Sequence, residues 1–186
     1  MQAAAVILAA GTSTRFGSPK QVARIGVRTM LEAVIDVARR AGLEPIVVVT
    51  PPGLGVPGDV VPVINDQPEA GMSRSLRMGL ANVPAEAAAA VILLGDQPMV
   101  APEMIGSLLA EARRSDRPVV AVHSDGHLGP PVVLARAAFA LADGATGDEG
   151  LRGVLEGHPE LVSIVAVDQH AVDVDVPADL ERLRER

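Results

Sequence analysis

The sequence predicts an α/β fold of Rossmann-like architecture, a single domain over residues 1–186 with a mostly parallel central sheet and helices on both faces. Three observations lead there. Fully apolar runs of strand length alternate with stretches of helical period. The chain is 48% hydrophobic yet 1% aromatic, with no Trp, no Tyr and two Phe, so Ala, Val, Leu and Ile must fill its core. Such residues suit strands covered closely on both faces. Finally, 186 residues leave no room for a second full core.

Taken in order, strands are expected at Ala3–Ala9, Pro45–Thr50, Val60–Asn65, Ala89–Leu94, Pro118–His123 and Leu161–Val167, with a short one at Val132–Leu134. Met30–Ala41 reads as a helix because Met30, Leu31, Val34, Ile35 and Ala38 share a face and Gly42 can end it. Met72–Val83 and Pro102–Ala112 repeat the pattern, the latter with a proline suited to a first turn. Thr146 and Glu149 have capping-box spacing, which predicts a helix from there to about Glu156. A charged helix is expected at Pro177–Arg184. Pro62 would remove a ladder donor, so its strand belongs at an edge. The first and fourth strands, apolar throughout, belong in the centre. Ligands in such sheets bind at the carboxyl ends of central strands, which directs attention to the segments after Ala9 and Leu94.

The charge balance narrows the function. A net charge of −7 argues against general nucleic-acid binding. Zero cysteines exclude disulfides, Cys-based zinc and thiol catalysis. The apolar start stops at Gly11, far short of the ~20 residues that cross a bilayer, and has no positively charged leader. A cytoplasmic protein without a membrane partner is expected. Of 16 cationic residues, 15 are Arg and one, Lys20, is Lys. Either this is chance, or Lys20 is a compact point charge for which the broad guanidinium fork is no substitute.

The loop Ala9-Ala10-Gly11-Thr12-Ser13-Thr14-Arg15-Phe16-Gly17-Ser18-Pro19-Lys20 follows the first strand. Its glycines let backbone N–H groups approach an anion, and Arg15 and Lys20 supply charge. It is neither a Walker A loop nor Gly-x-Gly-x-x-Gly. Residue chemistry alone leaves a phosphate-binding loop or a flexible connection. The run Leu8-Ala9-Ala10-Gly11-x-Ser13-x-Arg15-Phe16-Gly17-x-x-Lys20, however, resembles the signature of the molybdenum-cofactor nucleotidyltransferase-like family, whose fold is that of the nucleotide-diphospho-sugar transferases. The resemblance implies that Leu8, Ala9, Ala10, Gly11 and Thr12 contact the nucleotide and that Arg15 and Lys20 meet the triphosphate.

The fourth strand runs into Gly95-Asp96-Gln97-Pro98. Mg²⁺ is commonly held by one or two carboxylates with waters and phosphates, so Asp96 suits an anchor; Gly-Asp-x-Pro is also good turn chemistry. The run resembles the family's metal-binding motif, nearer the cytidylyltransferase branch. Asp173-Val174-Asp175-Val176-Pro177 resembles a later Asp-Ile-Asp-Thr-Pro motif, which implies Asp175 as a second metal ligand. The other reading of Asp175 is a helix N-terminal acid favoured by the dipole. Val176 departs from the usual Thr.

Asn65 and the Gly71-Met72-Ser73-Arg74-Ser75-Leu76 run resemble the segment beside the nucleotide base, implying contacts from Asn65, Gly71 and Ser75. Arg74 and Arg77 read as solvated helix residues. Gly126-His127-Leu128-Gly129-Pro130-Pro131 resembles the stretch lining the acceptor side, with Pro130 at a normally polar position. Gly147-Asp148-Glu149-Gly150-Leu151-Arg152 matches a further family run.

Together these imply a Mg²⁺-dependent nucleotidyltransferase. Its substrates would be an NTP, with CTP favoured, and a small phosphorylated acceptor such as molybdopterin cofactor; a molybdoenzyme or its maturation factor is a further expected partner. The alternatives are a guanylyl- or adenylyltransferase with another acceptor, or a non-enzymatic nucleotide-binding or cofactor-carrier module.

Overall fold

A computed structural model describes residues 2–11, 20–115, 117–124, 126, 128–167 and 179. Period-two alternation sets its layers. In β1 (Ala3–Leu8), buried at every position, Ala3, Ala5 and Ile7 face one apolar cluster and Ala4, Val6 and Leu8 the other. The first cluster takes Leu31, Val34, Ile35 and Ala38 of α1 (Met30–Arg40) and Met104, Ile105 and Leu108 of α3 (Pro102–Ala112). The second takes Leu76 and Leu80 of α2 (Met72–Ala81) and Leu151 and Leu155 of α4 (Leu151–Gly157). Small residues allow the layers to approach closely. A Cβ placed on Gly79 of α2 would stand 2.4 Å from Val6 Cγ1.

Seven strands make the main sheet. Their order is β5 (Val61–Ile64), β4 (Ile46–Thr50), β1, β6 (Ala89–Leu94), β8 (Leu128–Ala135), β7 (Val119–Val122), β9 (Ser163–Ala166). All neighbouring pairs are parallel except the two that involve β8. The expected centre and edge hold: β1 lies between β4 and β6, and Pro62 lies on the outer strand β5. A hairpin of β2 (Arg24–Ile25) and β3 (Arg28–Thr29), too short to carry a periodic signal, leads into α1.

Several expectations need correction. Thr146 caps no helix. Residues Gly147–Glu149 form a 3-10 turn, Thr146 bridges to Gly150, and α4 begins only at Leu151. Gly147 and Gly150 have φ of 51° and 56°, which no right-handed helix can include. The true capping box is Thr29 with Glu32, opening α1: Glu32 N donates to Thr29 Oγ1 at 3.2 Å, and Thr29 N to Glu32 Oε2 at 2.7 Å. The short strand at Val132–Leu134 extends over Leu128–Ala135, through Pro130 and Pro131, with a register shift against β7. Leu161 ends a 3-10 turn, so the last strand is Ser163–Ala166. Arg77 is exposed, as expected, and its Nη1 in addition donates to Ala145 O at 2.9 Å and ties α2 to the segment before Thr146. Arg74 Nε and Nη2 bond Asn65 and Asp66. The helix expected at Pro177–Arg184 lies outside the described residues, Asp179 apart.

Candidate active site

The carboxyl ends of β1 and β6 meet through their backbones. Gly95 N donates to Leu8 O at 2.9 Å; on the other side of β1, Ala9 N donates to Val49 O of β4 at 2.8 Å. Gly95 has to be small: a Cβ there would fall 2.8 Å from Ala9 Cβ. The segment after β1 is thereby set against the segment that carries Asp96.

Lys20 opens a 3-10 turn (Lys20–Val22) and its Nζ donates to Asp96 Oδ2 in an ion pair across 76 residues of sequence. The two side chains are 15% and 18% exposed, shielded from bulk water yet reachable from it. Such a pair is less screened than one in open solvent. Beside it stands a residue that the sequence reading missed. Gln21, 3% exposed, donates its Nε2 to Ala9 O and to Gly11 O, each at 2.9 Å. One amide therefore braces both ends of the Ala9–Gly11 backbone. Its adjacency to Lys20 was the available signal, but a Gln after a Lys has no distinctive spacing.

The other expected nucleotide positions have structural partners. Asn65 is fully buried: its Nδ2 donates to Ser75 Oγ at 2.9 Å, and its Oδ1 accepts from Gln67 N and Arg74 Nε. These bonds fix the turn from β5 into α2. Gly71 has φ of 90°, and a Cβ there would lie 2.5 Å from the Gly147 carbonyl carbon. The N-terminus of α2 and the 146–150 turn thus touch backbone to backbone. Ala9 and Ala10 are buried and Gly11 is exposed. Thr12, Arg15 and Asp175 lie outside the described residues, as does His127. Among the described residues no group of three or more His, Asp or Glu side chains is placed to hold a metal.

A cavity of about 330 Å³ opens alongside. Leu8 and Leu94, the residues just before the two segments described above, form part of its wall, with Met72 of α2, Leu151 of α4, and Gly129 and Pro130 of β8. His123, 3% exposed, supports that wall, its Nε2 lying 3.0 Å from Pro130 O. The imidazole thus gives the Pro130 carbonyl a donor beside the register shift between Val120 and Ala121. No helix among the described residues is long and apolar enough to cross a membrane.

Residues 5–175 match the family model described as the MobA-like NTP transferase domain. The chain belongs to this family, whose members are nucleotidyltransferases. Its structure is similar to that of Rv0371c from Mycobacterium tuberculosis, with a TM-score of 0.87 and 31% identity over 100% of this chain and 99% of that one. A manganese complex of the same protein gives 0.84 and 31%, with the same coverage of both chains. A phosphoenolpyruvate guanylyltransferase from Conexibacter woesei is 33% identical over 68% of this chain and 58% of its own length. The chain thus spans little more than half of that curated relative.

Proposed function

We propose that this nucleotidyltransferase moves CMP from CTP onto the phosphate of a small cofactor precursor such as molybdopterin, releasing pyrophosphate. The observation that carries the reading is the Lys20–Asp96 pair, set where the segments after β1 and β6 meet. An acceptor oxygen would attack the α-phosphorus in line; a new P–O bond forms as the bond to the β-phosphate breaks. Two anions must approach, so catalysis is chiefly charge neutralisation and alignment. Lys20 would steady charge on the α-phosphoryl group, and Arg15 would hold the departing pyrophosphate. No protein nucleophile is needed.

Asp96, a partly shielded carboxylate at a strand end, fits a hard divalent cation. With Asp175 it would hold Mg²⁺, and the manganese complex of Rv0371c supports a divalent site. When bound, the ion supplies charge neutralisation on the triphosphate. Leu8, Ala9, Ala10, Gly11 and Thr12 would face the nucleotide, with Gly71, Asn65 and Ser75 shaping the base side. A molybdoenzyme or its maturation factor in the cytoplasm would be the onward recipient.

A second reading has a specific observation behind it, the 33% identity to a guanylyltransferase. CTP, GTP, ATP and UTP should be compared at equal concentration by thermal shift, with Mg²⁺ and then with EDTA. A ligand at 100 times its Kd stabilises the fold by about 2.7 kcal/mol. CTP should give the largest metal-dependent shift. A preference for GTP selects the second reading, and no shift with any of the four rejects nucleotide transfer.

A further inference from the structure

Asp96 is held where it stands, whereas the end of Lys20 can be redirected. The backbone on either side of Asp96 is tied, with Gly95 N donating to Leu8 O at 2.9 Å and Gln97 N to Leu94 O at 3.2 Å. The base of the lysine side chain is also fixed, because its neighbour Gln21 is buried and bonded to Ala9 O and Gly11 O. Between these two anchored points the contact is made by an ammonium on a flexible four-carbon stem. The carboxylate that suits a divalent cation is thus already met, at Oδ2, by the only lysine in the chain.

A cation arriving by itself meets two obstacles. It must displace an ammonium from a pair more than four-fifths shielded, where repulsion between the two positive charges is less screened than in open water. It also finds few ligands: the proposed ones are two carboxylates, Asp96 and Asp175, and Mg²⁺ so held takes the remainder from water and phosphates. A triphosphate removes both obstacles, since it offers oxygens to the cation and an alternative anion to Lys20.

We propose that Lys20 closes Asp96 to a divalent cation acting alone, so that the site takes the cation only together with a triphosphate, to which Lys20 transfers its contact. The proposal rests on the reading of Asp96 as a metal ligand. It gives Lys20 opposite effects on two ligands: it opposes the cation and supports the nucleotide. A lysine that merely maintained the fold would, on removal, weaken both.

Mn²⁺ binding to the full chain without nucleotide, followed by electron paramagnetic resonance, tests this. Lys20→Met should bind Mn²⁺ at least tenfold more tightly than the wild type, within the roughly 5- to 150-fold range typical of coupling between ligands. Lys20→Gln, which leaves the carboxylate a polar partner if the methionine variant fails to fold, should show a gain of the same sign. Arg24→Met removes an equal charge from an exposed position four residues away and should change Mn²⁺ affinity less than threefold. Adding Asp96→Asn to either Lys20 variant should abolish the gain. With Mg²⁺ present, both Lys20 variants should bind CTP at least tenfold more weakly than the wild type. A Mn²⁺ gain no larger than that of Arg24→Met, or one that survives Asp96→Asn, overturns the proposal. The metal-ligand reading fails by a different result, Asp96→Asn binding Mn²⁺ in the presence of CTP as tightly as the wild type does.

Discussion

The Asp96 end and the cavity end of the candidate site are built by different means. Near Asp96 the backbone is held by directed bonds: Gln21 grips two carbonyls, Gly95 joins Leu8, and Lys20 reaches Asp96. At the cavity end the wall depends on shape. Gly71 lies against Gly147, two consecutive prolines run through β8, and leucines and valines from six elements enclose the space. Directed bonds hold charged ligand groups in a fixed place, as phosphoryl chemistry requires. Shape discriminates by volume and polarity, which suits recognition of an unreactive body. The difference predicts that substitutions at the first end act on nucleotide use and turnover, and those at the second on the acceptor.

Asp96→Asn should give the largest effect. The substitution is isosteric and removes the charge that Lys20 meets. Losing one preorganised electrostatic group from a reacting centre typically costs about 10²–10³ in kcat. The pair is more than four-fifths shielded, so neutralising one member costs more stability than the roughly 0–1 kcal/mol of an exposed pair. Turnover at saturating Mg²⁺ should fall about 100-fold or more, and Tm should drop by a few degrees with the fold retained. Unchanged turnover would remove Asp96 from the chemistry.

Gln21→Met comes next. Methionine keeps the length of the side chain but cannot donate to Ala9 O or Gly11 O. At about 1 kcal/mol for each net hydrogen bond, the loosened segment should raise the NTP KM by roughly 10- to 30-fold. The acceptor KM should stay near its wild-type value. Equal increases in both constants would show that the brace serves the whole candidate site.

Gly71→Ala addresses the other end. A positive φ costs a residue with a Cβ on the order of 1–3 kcal/mol, and the added carbon also runs into Gly147. The 146–150 turn must then move away from α2, taking Glu149 and Leu151 with it. The acceptor KM should rise about tenfold and the NTP KM less. A larger effect on NTP would place Gly71 with the base, as the motif resemblance implies.

How much of this was legible in the sequence follows the same division. Apolar runs such as Val91–Leu94 and the lone Pro62 marked the central and edge strands, because burial and a missing donor act locally. Lys20 and Asp96 were also legible, since each stands in a short run of small residues that leaves little but backbone and charge. The Thr146 capping box misled because Ser/Thr-x-x-Glu spacing says nothing of the left-handed glycines 147 and 150, while the actual box at Thr29 lay hidden at the end of a six-residue hairpin. Gln21 and His123 were missed for a further reason: each acts on a carbonyl, and any residue can offer one. The cavity had no signature, because its leucines and valines resemble those of the core.

The smallest expected effect belongs to a residue at neither end. Thr29→Ala removes the hydroxyl that caps α1 and should lower stability by about 1 kcal/mol, read as a lower Tm or denaturation midpoint. With the cap intact, the backbone N–H and hydroxyl of Thr29 hold the Glu32 carboxyl below its usual value of 4.5. A depressed carboxylate contributes stability above its unfolded pKa and loses it as pH falls through the lower folded value. The wild type should therefore lose more stability than Thr29→Ala on acidification below about pH 4.5, so the gap between them should narrow. Both KM values should stay within about twofold of wild type, since a lost cap of this size acts on stability alone. A rise in the NTP KM alone would mean instead that α1, which follows Lys20 and Gln21 through the short hairpin, transmits strain to the Asp96 end of the candidate site.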